Sequence, residues 1–142
     1  MNQWRPPRRI RVLALGLLWR EGRLLVCEVR DDAGRLKGVR PPGGGVEFGE
    51  TWRAALVREF REEFGLDVAV AGEPHVAENI FTHEGARGHE IAFVAPVEIV
   101  AGALAAGESV LFLEDRGQPV VARWLDPATL DADGAPLFSP TG

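Results

Sequence analysis

Glu59, Glu62 and Glu63 stand at i, i+3 and i+4 in the stretch REFREEFG, residues 58–65. On a helix this spacing gathers three carboxylates on one face. Like charges so placed repel by roughly 0.2–0.5 kcal/mol per pair. Arg58 and Arg61 offset part of that cost. A hard divalent cation such as Mg²⁺ takes oxygen ligands, and one or two carboxylates plus substrate phosphate oxygens hold it. The stretch alone therefore reads either as metal and phosphate chemistry or as an ordinary solvated helix face.

A helix has to carry these residues, and the chain supplies one. Residues 51–64, TWRAALVREFREEF, contain neither glycine nor proline. Thr51 is placed to cap the start and Gly65 to cap the end. Ala54, Val57, Phe60 (or Arg61) and Phe64 recur at spacings of three and four, which predicts an apolar stripe apart from the three glutamates. Just upstream, VRPPGGGVEFGE packs two prolines and four glycines into twelve residues. That composition excludes a helix and predicts a tight loop whose backbone can approach a metal or a phosphate closely.

From Gly44 the chain reads Gly, five residues, Glu50, seven residues, then Arg58-Glu59-Phe60-Arg61-Glu62-Glu63-Phe64-Gly65-Leu66. This resembles the box of the Nudix hydrolases, G-x5-E-x7-R-E-U-x-E-E-x-G-U, where U is bulky and apolar. Every position matches, although Phe60 is aromatic where an aliphatic residue is commoner. With seven fixed residues at ordinary background frequencies, a chance match is roughly 10⁻⁷ per register. The resemblance implies an α/β fold, a Nudix-type α/β/α sandwich with a mixed β-sheet and the box helix at about 51–64. It implies one domain over 1–142, with a short N-terminal arm to about residue 8 and a tail from about residue 131.

The resemblance also implies the chemistry. Nudix enzymes cleave a nucleoside diphosphate linked to another moiety, using Mg²⁺ or Mn²⁺. Carried onto this chain, Glu59, Glu62 and Glu63 become metal-facing carboxylates and Gly43 offers a backbone carbonyl. Arg58 orients the cluster, and Glu50 lies near it. Members differ in their general base. Glu59 is the first choice here, with Glu108 and Glu114 as alternatives. The acid that often precedes a tryptophan like Trp124 is absent, since those positions read GQPVVAR. Substrate markers are absent too. Phe81 stands where ADP-ribose pyrophosphatases often have proline, and the chain has no tyrosine of the kind diadenosine-polyphosphate hydrolases often carry there. A non-catalytic nucleotide-binding or sensor module on the same fold is the alternative. Its expected marks are lost box carboxylates or an added effector domain.

Elsewhere the chain reads as strands. IRVLALGLLWR and RLLVCEVR, separated by Glu21-Gly22, predict an antiparallel hairpin. LDVAVAGE, HVAENIFTHE, GHEIAFVAPVEIV (with a break at Pro96), SVLFLE and VVARWL predict further strands, with EGARG as a hairpin turn and a short second helix at the end. His83-Glu84 and His89-Glu90 flank that turn. They read as hairpin polar residues, with substrate contact at His89 as the sharper option. Arg40, before the Pro-Pro-Gly segment, is the candidate phosphate contact. Trp4, Trp19, Trp52, Trp124, Phe48 and Phe81 are potential base-stacking surfaces or core.

The net charge of −5 argues against a broad nucleic-acid-binding surface. Arg5, Arg8, Arg9 and Arg11 form the one basic cluster. A single cysteine, Cys27, excludes an internal disulfide. No apolar run approaches the ~20 residues of a membrane span. The expected setting is cytoplasmic, with a small-molecule nucleotide as partner and room for a homodimer.

Overall fold

The computed structural model describes residues 4–102, 109–113 and 119–129. The elements run β1 (Ile10–Leu17), β2 (Trp19–Arg20), β3 (Arg23–Arg30), β4 (Leu36–Arg40), β5 (Gly43–Gly45), α1 (Trp52–Phe64), β6 (Asp67–Val70), β7 (His75–His83), β8 (Ala86–Ala101), β9 (Ser109–Leu113), β10 (Pro119–Leu125) and a 3₁₀ turn at Pro127–Thr129. They form two five-stranded sheets. The first runs β5-β1-β8-β6 with β7 also on β8, and the second runs β2-β3-β10-β9 with β4 on β3. In the first sheet β1 and β8 are parallel and the other pairings antiparallel, so the sheet is mixed as expected.

The hairpin predicted from β1 to β3 is corrected. Glu21 and Gly22 do form a two-residue turn, both with positive φ, the backbone that a tight hairpin needs. Only Trp19 and Arg20 pair across it, with Leu24 and Arg23. At Leu18 the chain leaves the first sheet for the second, and β1 pairs instead with β5 and β8. The second predicted turn holds, with Glu84 and Gly85 at positive φ between β7 and β8. β8 also runs unbroken through Pro96. β7 pairs as far as Val94 and β6 takes over at Val97. The missing N–H of Pro96 therefore falls at the handover, where a strand tolerates it. The short second helix is the single 3₁₀ turn.

α1 covers one face of the sheets. Its start is capped by Thr51, whose hydroxyl accepts from the Ala54 N–H at 3.1 Å. Its end is a left-handed Gly65, with the Gly65 N–H donating to the Arg61 carbonyl and Leu66 to Phe60. The apolar stripe is shifted from the predicted one. Ala55, Leu56 and Phe60 are buried with Glu59, whereas Ala54 is exposed. Leu56 and Phe60 join Ala14, Leu25, Cys27 and Trp124 in the main core.

Gly16 on β1 packs directly against α1. A Cβ there would lie 2.6 Å from a Phe60 ring carbon. Gly16→Ala is expected to cost about 1–3 kcal/mol through overpacking, read as a lower urea midpoint with an unchanged m-value.

Candidate active site

The GGG segment, predicted as part of a tight loop, is a strand. Gly43–Gly45 form a short edge strand, β5, antiparallel to β1 with Ala14 opposite Gly44. Gly43 has φ of 149°, and a Cβ there would collide with the Ala14 carbonyl oxygen. A Cβ on Gly44 would stand 2.5–2.7 Å from the carboxylate atoms of Glu59. Glycine thus lets β1 and the Glu59 carboxylate close on β5 from two sides. Gly16 N–H donates to the Pro42 carbonyl and Val46 N–H to the Val12 carbonyl. Antiparallel alternation then turns the carbonyls of Gly43 and Gly45 outward, away from β1. The Gly45 carbonyl accepts from Arg58 at 3.0 Å on that side.

Arg58 is the hub. Its Nε and Nη2 donate to the two oxygens of Glu50 at 2.7 and 3.0 Å. Its Nη1 donates to Glu59 at 3.0 Å and to Glu62 at 3.3 Å. With the Gly45 carbonyl, these bonds match the five N–H donors that a guanidinium owns. The fork ties three carboxylates and the β5 edge together, which three donors on a flexible lysine cannot reproduce. The pKa of Arg58 is driven further upward, first by its hydrogen bond to Glu50 and then by the nearby charge of Glu59.

Glu50 responds in the opposite direction. Its carboxyl is held below the ordinary 4.5, first by Arg58 and then by the Glu47 backbone N–H. A depressed folded-state pKa contributes stability that is present above the unfolded value and is lost as pH falls through the folded one. The melting temperature is therefore expected to fall between about pH 5 and pH 3 more steeply in the native chain than in Glu50→Gln. Thermal melts across that range check it.

The three box glutamates differ in exposure. Glu59 is 2% exposed, Glu63 is half-buried with Oε2 fully buried, and Glu62 is exposed. The Val57/Phe60/Phe64 stripe was expected to be the packed side with the glutamates apart from it. Glu59 instead shares the buried side of α1, because the glycine strand leaves room for a carboxylate there. Among the described residues no three of His, Cys, Asp and Glu converge as a ready-made metal cage. The available donors are all oxygens, and the Gly44 cradle keeps one buried carboxylate at the strand edge. That donor set fits a hard cation that takes its remaining ligands from water and substrate.

Not every candidate joins this cluster. Arg40 ends β4 opposite Cys27, three residues before Gly43, and is half-buried. His89 lies level with Ile10, four residues along the ladder from the Ala14–Phe93 pair. That is about 13 Å along the strand from the level of Gly44. Its Nε2 is 3.0 Å from Glu78, so the structure does not bring it to the box. Glu108 and Glu114 lie outside the described residues. Sequence reasoning missed the burial of three polar residues on the β7–β8 hairpin. Asn79, His83 and Glu90 are buried, and the one available clue was polar residues falling on strand positions of a single parity.

The comparisons agree with this geometry. A sequence profile described as the NUDIX domain matches residues 7–139. Nucleoside triphosphatase NudI of Escherichia coli O139:H28 is 43% identical over 58 residues, 40% of this chain and 41% of NudI. An ADP-ribose pyrophosphatase of Methanocaldococcus jannaschii is 40% identical over 67 residues, 47% of this chain and 38% of that protein. The chain thus spans about two fifths of the length of these curated relatives. Among solved structures, the E. coli ORF135 protein aligns with a TM-score of 0.58 at 27% identity, covering 93% of this chain and 83% of that one. A NUDIX hydrolase from Nitrosomonas europaea shares the fold, with a TM-score of 0.62 at 17% identity over 93% of this chain and 82% of its own. No helix among the described residues is long and apolar enough to cross a membrane. A glycine strand held against a buried glutamate, a five-bonded arginine hub and a profile match over most of the chain lead to one conclusion: this protein belongs to the Nudix hydrolase family.

Proposed function

We propose that the chain is a divalent-cation-dependent pyrophosphohydrolase. It hydrolyses the phosphoric anhydride of a nucleoside triphosphate or of a nucleoside diphosphate linked to another moiety. The observation that carries this reading is the buried Glu59 carboxylate, held between Arg58 and the Cβ-free face of Gly44. Glu59, Glu62, Glu63 and the outward Gly43 carbonyl would hold Mg²⁺, or Mn²⁺ in its place. The bound ion supplies neutralisation of the diphosphate oxygens and of charge developing on the leaving group.

The chain's own groups do the rest. Glu59 accepts a proton from the water that attacks phosphorus. Arg58 keeps that carboxylate in register with the β5 edge and, through Glu50, fixes the loop that precedes α1. Arg40 follows as a candidate phosphate contact from its place just before Pro41. The names of the matched relatives, a nucleoside triphosphatase and an ADP-ribose pyrophosphatase, support the anhydride class without choosing within it. A cytoplasmic setting is part of the proposal.

A panel of NTPs, dNTPs, nucleotide sugars, ADP-ribose and dinucleoside polyphosphates, with Mg²⁺ or Mn²⁺ and products read by mass, tests the proposal. The expected result is metal-dependent release of a nucleoside monophosphate from at least one of them. The second reading is a nucleotide-binding module without turnover. The observation on its side is that Arg58 already neutralises Glu59 and Glu62. Saturable binding across the panel with no product would favour it.

A further inference from the structure

Residues 4–7 precede β1 and touch both sheets. On the first sheet, the ring centre of Trp4 lies 5.5 Å from that of His83, at the end of β7. The guanidinium of Arg11 on β1 lies 5.7 Å from the same indole. On the second sheet, Arg5 donates hydrogen bonds of 3.0 and 2.6 Å to Asp32, in the turn between β3 and β4. Pro6 follows and is buried. His83 also meets the second sheet directly, with Nδ1 3.0 Å from Lys37 Nζ on β4. The His83 ring is thus the point where both sheets and residues 4–7 come together.

That junction tolerates a neutral ring and not a charged one. His83 is 5% exposed. The charges that act on it are Lys37 from β4, Arg5 from the segment, Asp32 from the β3–β4 turn and its neighbour Glu84. Two are positive and two negative, so they cancel. Arg11, which reaches the same indole, is already paired with Glu90. A neutral imidazole can accept from Lys37 through Nδ1, whereas an imidazolium has two donors and no acceptor. Protonation sets two cations side by side and leaves one charge uncancelled. The indole recovers part of that cost, but like charges in direct contact are the larger effect. Burial first, and then Lys37, hold His83 below the ordinary 6.5. Asp32 is held below the ordinary 3.8, first by its hydrogen bond from Arg5, so the Arg5 anchor stays charged while His83 titrates. Docking of residues 4–7 is therefore strongest above pH 6.5 and weakens as pH falls through the lower value of the docked ring.

We propose that residues 4–7 are a strap across the two sheets, released when the buried His83 ring takes a proton. At neutral pH the ring accepts from Lys37 and supports the Trp4 indole. At mildly acidic pH the imidazolium and the Lys37 ammonium part, water reaches the ring, and Trp4 loses the surface on which it rests. The exposed Arg5–Asp32 pair is too weak an anchor to hold the strap alone. Release removes the contacts that tie the end of β7 to the β3–β4 turn.

The test is fluorine NMR of the full chain labelled with 5-fluorotryptophan, with the Trp4 signal assigned by its loss in Trp4→Phe. Between about pH 7.5 and pH 5 the native Trp4 signal should narrow and move to the position of an unrestrained tryptophan. Its midpoint should lie below 6.5 and coincide with the imidazole titration of His83 followed by proton NMR. In His83→Gln, whose amide oxygen can accept from Lys37 at every pH, the signal should stay at its docked position throughout. Asp32→Asn weakens the far end of the strap and should raise the midpoint by a few tenths of a pH unit. Circular dichroism confirms that each variant is folded. A native Trp4 signal that does not move overturns the proposal, and so does an equal movement in His83→Gln. Should His83→Gln fail to fold, Asp32→Asn carries the test, and an unmoved midpoint there overturns the proposal as well.

Discussion

Glu59→Gln is expected to lower kcat/KM by about 10²- to 10⁴-fold, the usual worth of a positioned general base. The substitution keeps the shape of the side chain and removes its charge. Glu59 is buried and accepts from Arg58 at 3.0 Å, and an amide oxygen can still accept that bond. The fold should therefore survive, with the melting temperature near that of the native chain. An exposed glutamate of the same helix provides the contrast. Glu62 keeps half its surface and lies at the far end of the Arg58 fork, so Glu62→Gln should act more weakly. Should both variants retain full metal-dependent turnover, the α1 carboxylates are not the site.

Gly44→Ala should be nearly as damaging, and for a steric reason. Its new methyl group would occupy space now filled by the Glu59 carboxylate, 2.5 Å from the carboxyl carbon. Either the glutamate side chain or the β5 edge must shift. Overpacking of this kind costs about 1–3 kcal/mol. A displacement near 1 Å at the reacting groups costs about 10²-fold in rate. The expected pattern is a modest loss of stability with a fall in kcat near a hundredfold. Gly45→Ala is the control, since nothing lies within 4 Å of a Cβ there. If Gly44→Ala and Gly45→Ala reduce kcat equally, the cradle is not what positions Glu59.

These expectations combine features that were legible in the sequence with others that were not. The helix, its Thr51 and Gly65 caps and the box spacing are local patterns. Each depends on residues a few positions apart, so the chain alone reveals them. The partner of β1 is not local. It pairs in parallel with residues 89–96, nearly eighty positions away. The Glu21-Gly22 turn was read correctly and its extent was not, because nothing in IRVLALGLLWR marks Leu18 as the point of transfer between sheets. The burial of Glu59 was equally hidden. Periodicity sorts residues by apolar character and so sets a glutamate with the solvent. Only the glycine strand, which has no side chain to fill the space, makes a buried carboxylate fit beside Phe60. The alignment of Asn79 with Glu90 and of Glu90 with Arg11 was hidden for the same reason as the parallel pair, since three separate strands build it.

Cation binding by α1 is the claim on which the catalytic reading depends. Titration of Mn²⁺ into the full chain, followed by loss of the free-ion electron paramagnetic resonance signal, measures it without any substrate. The account predicts a saturable site in the native chain and an affinity weakened by about tenfold or more in Glu59→Gln. Equal Mn²⁺ affinity in the two proteins, or no binding in either, would contradict it.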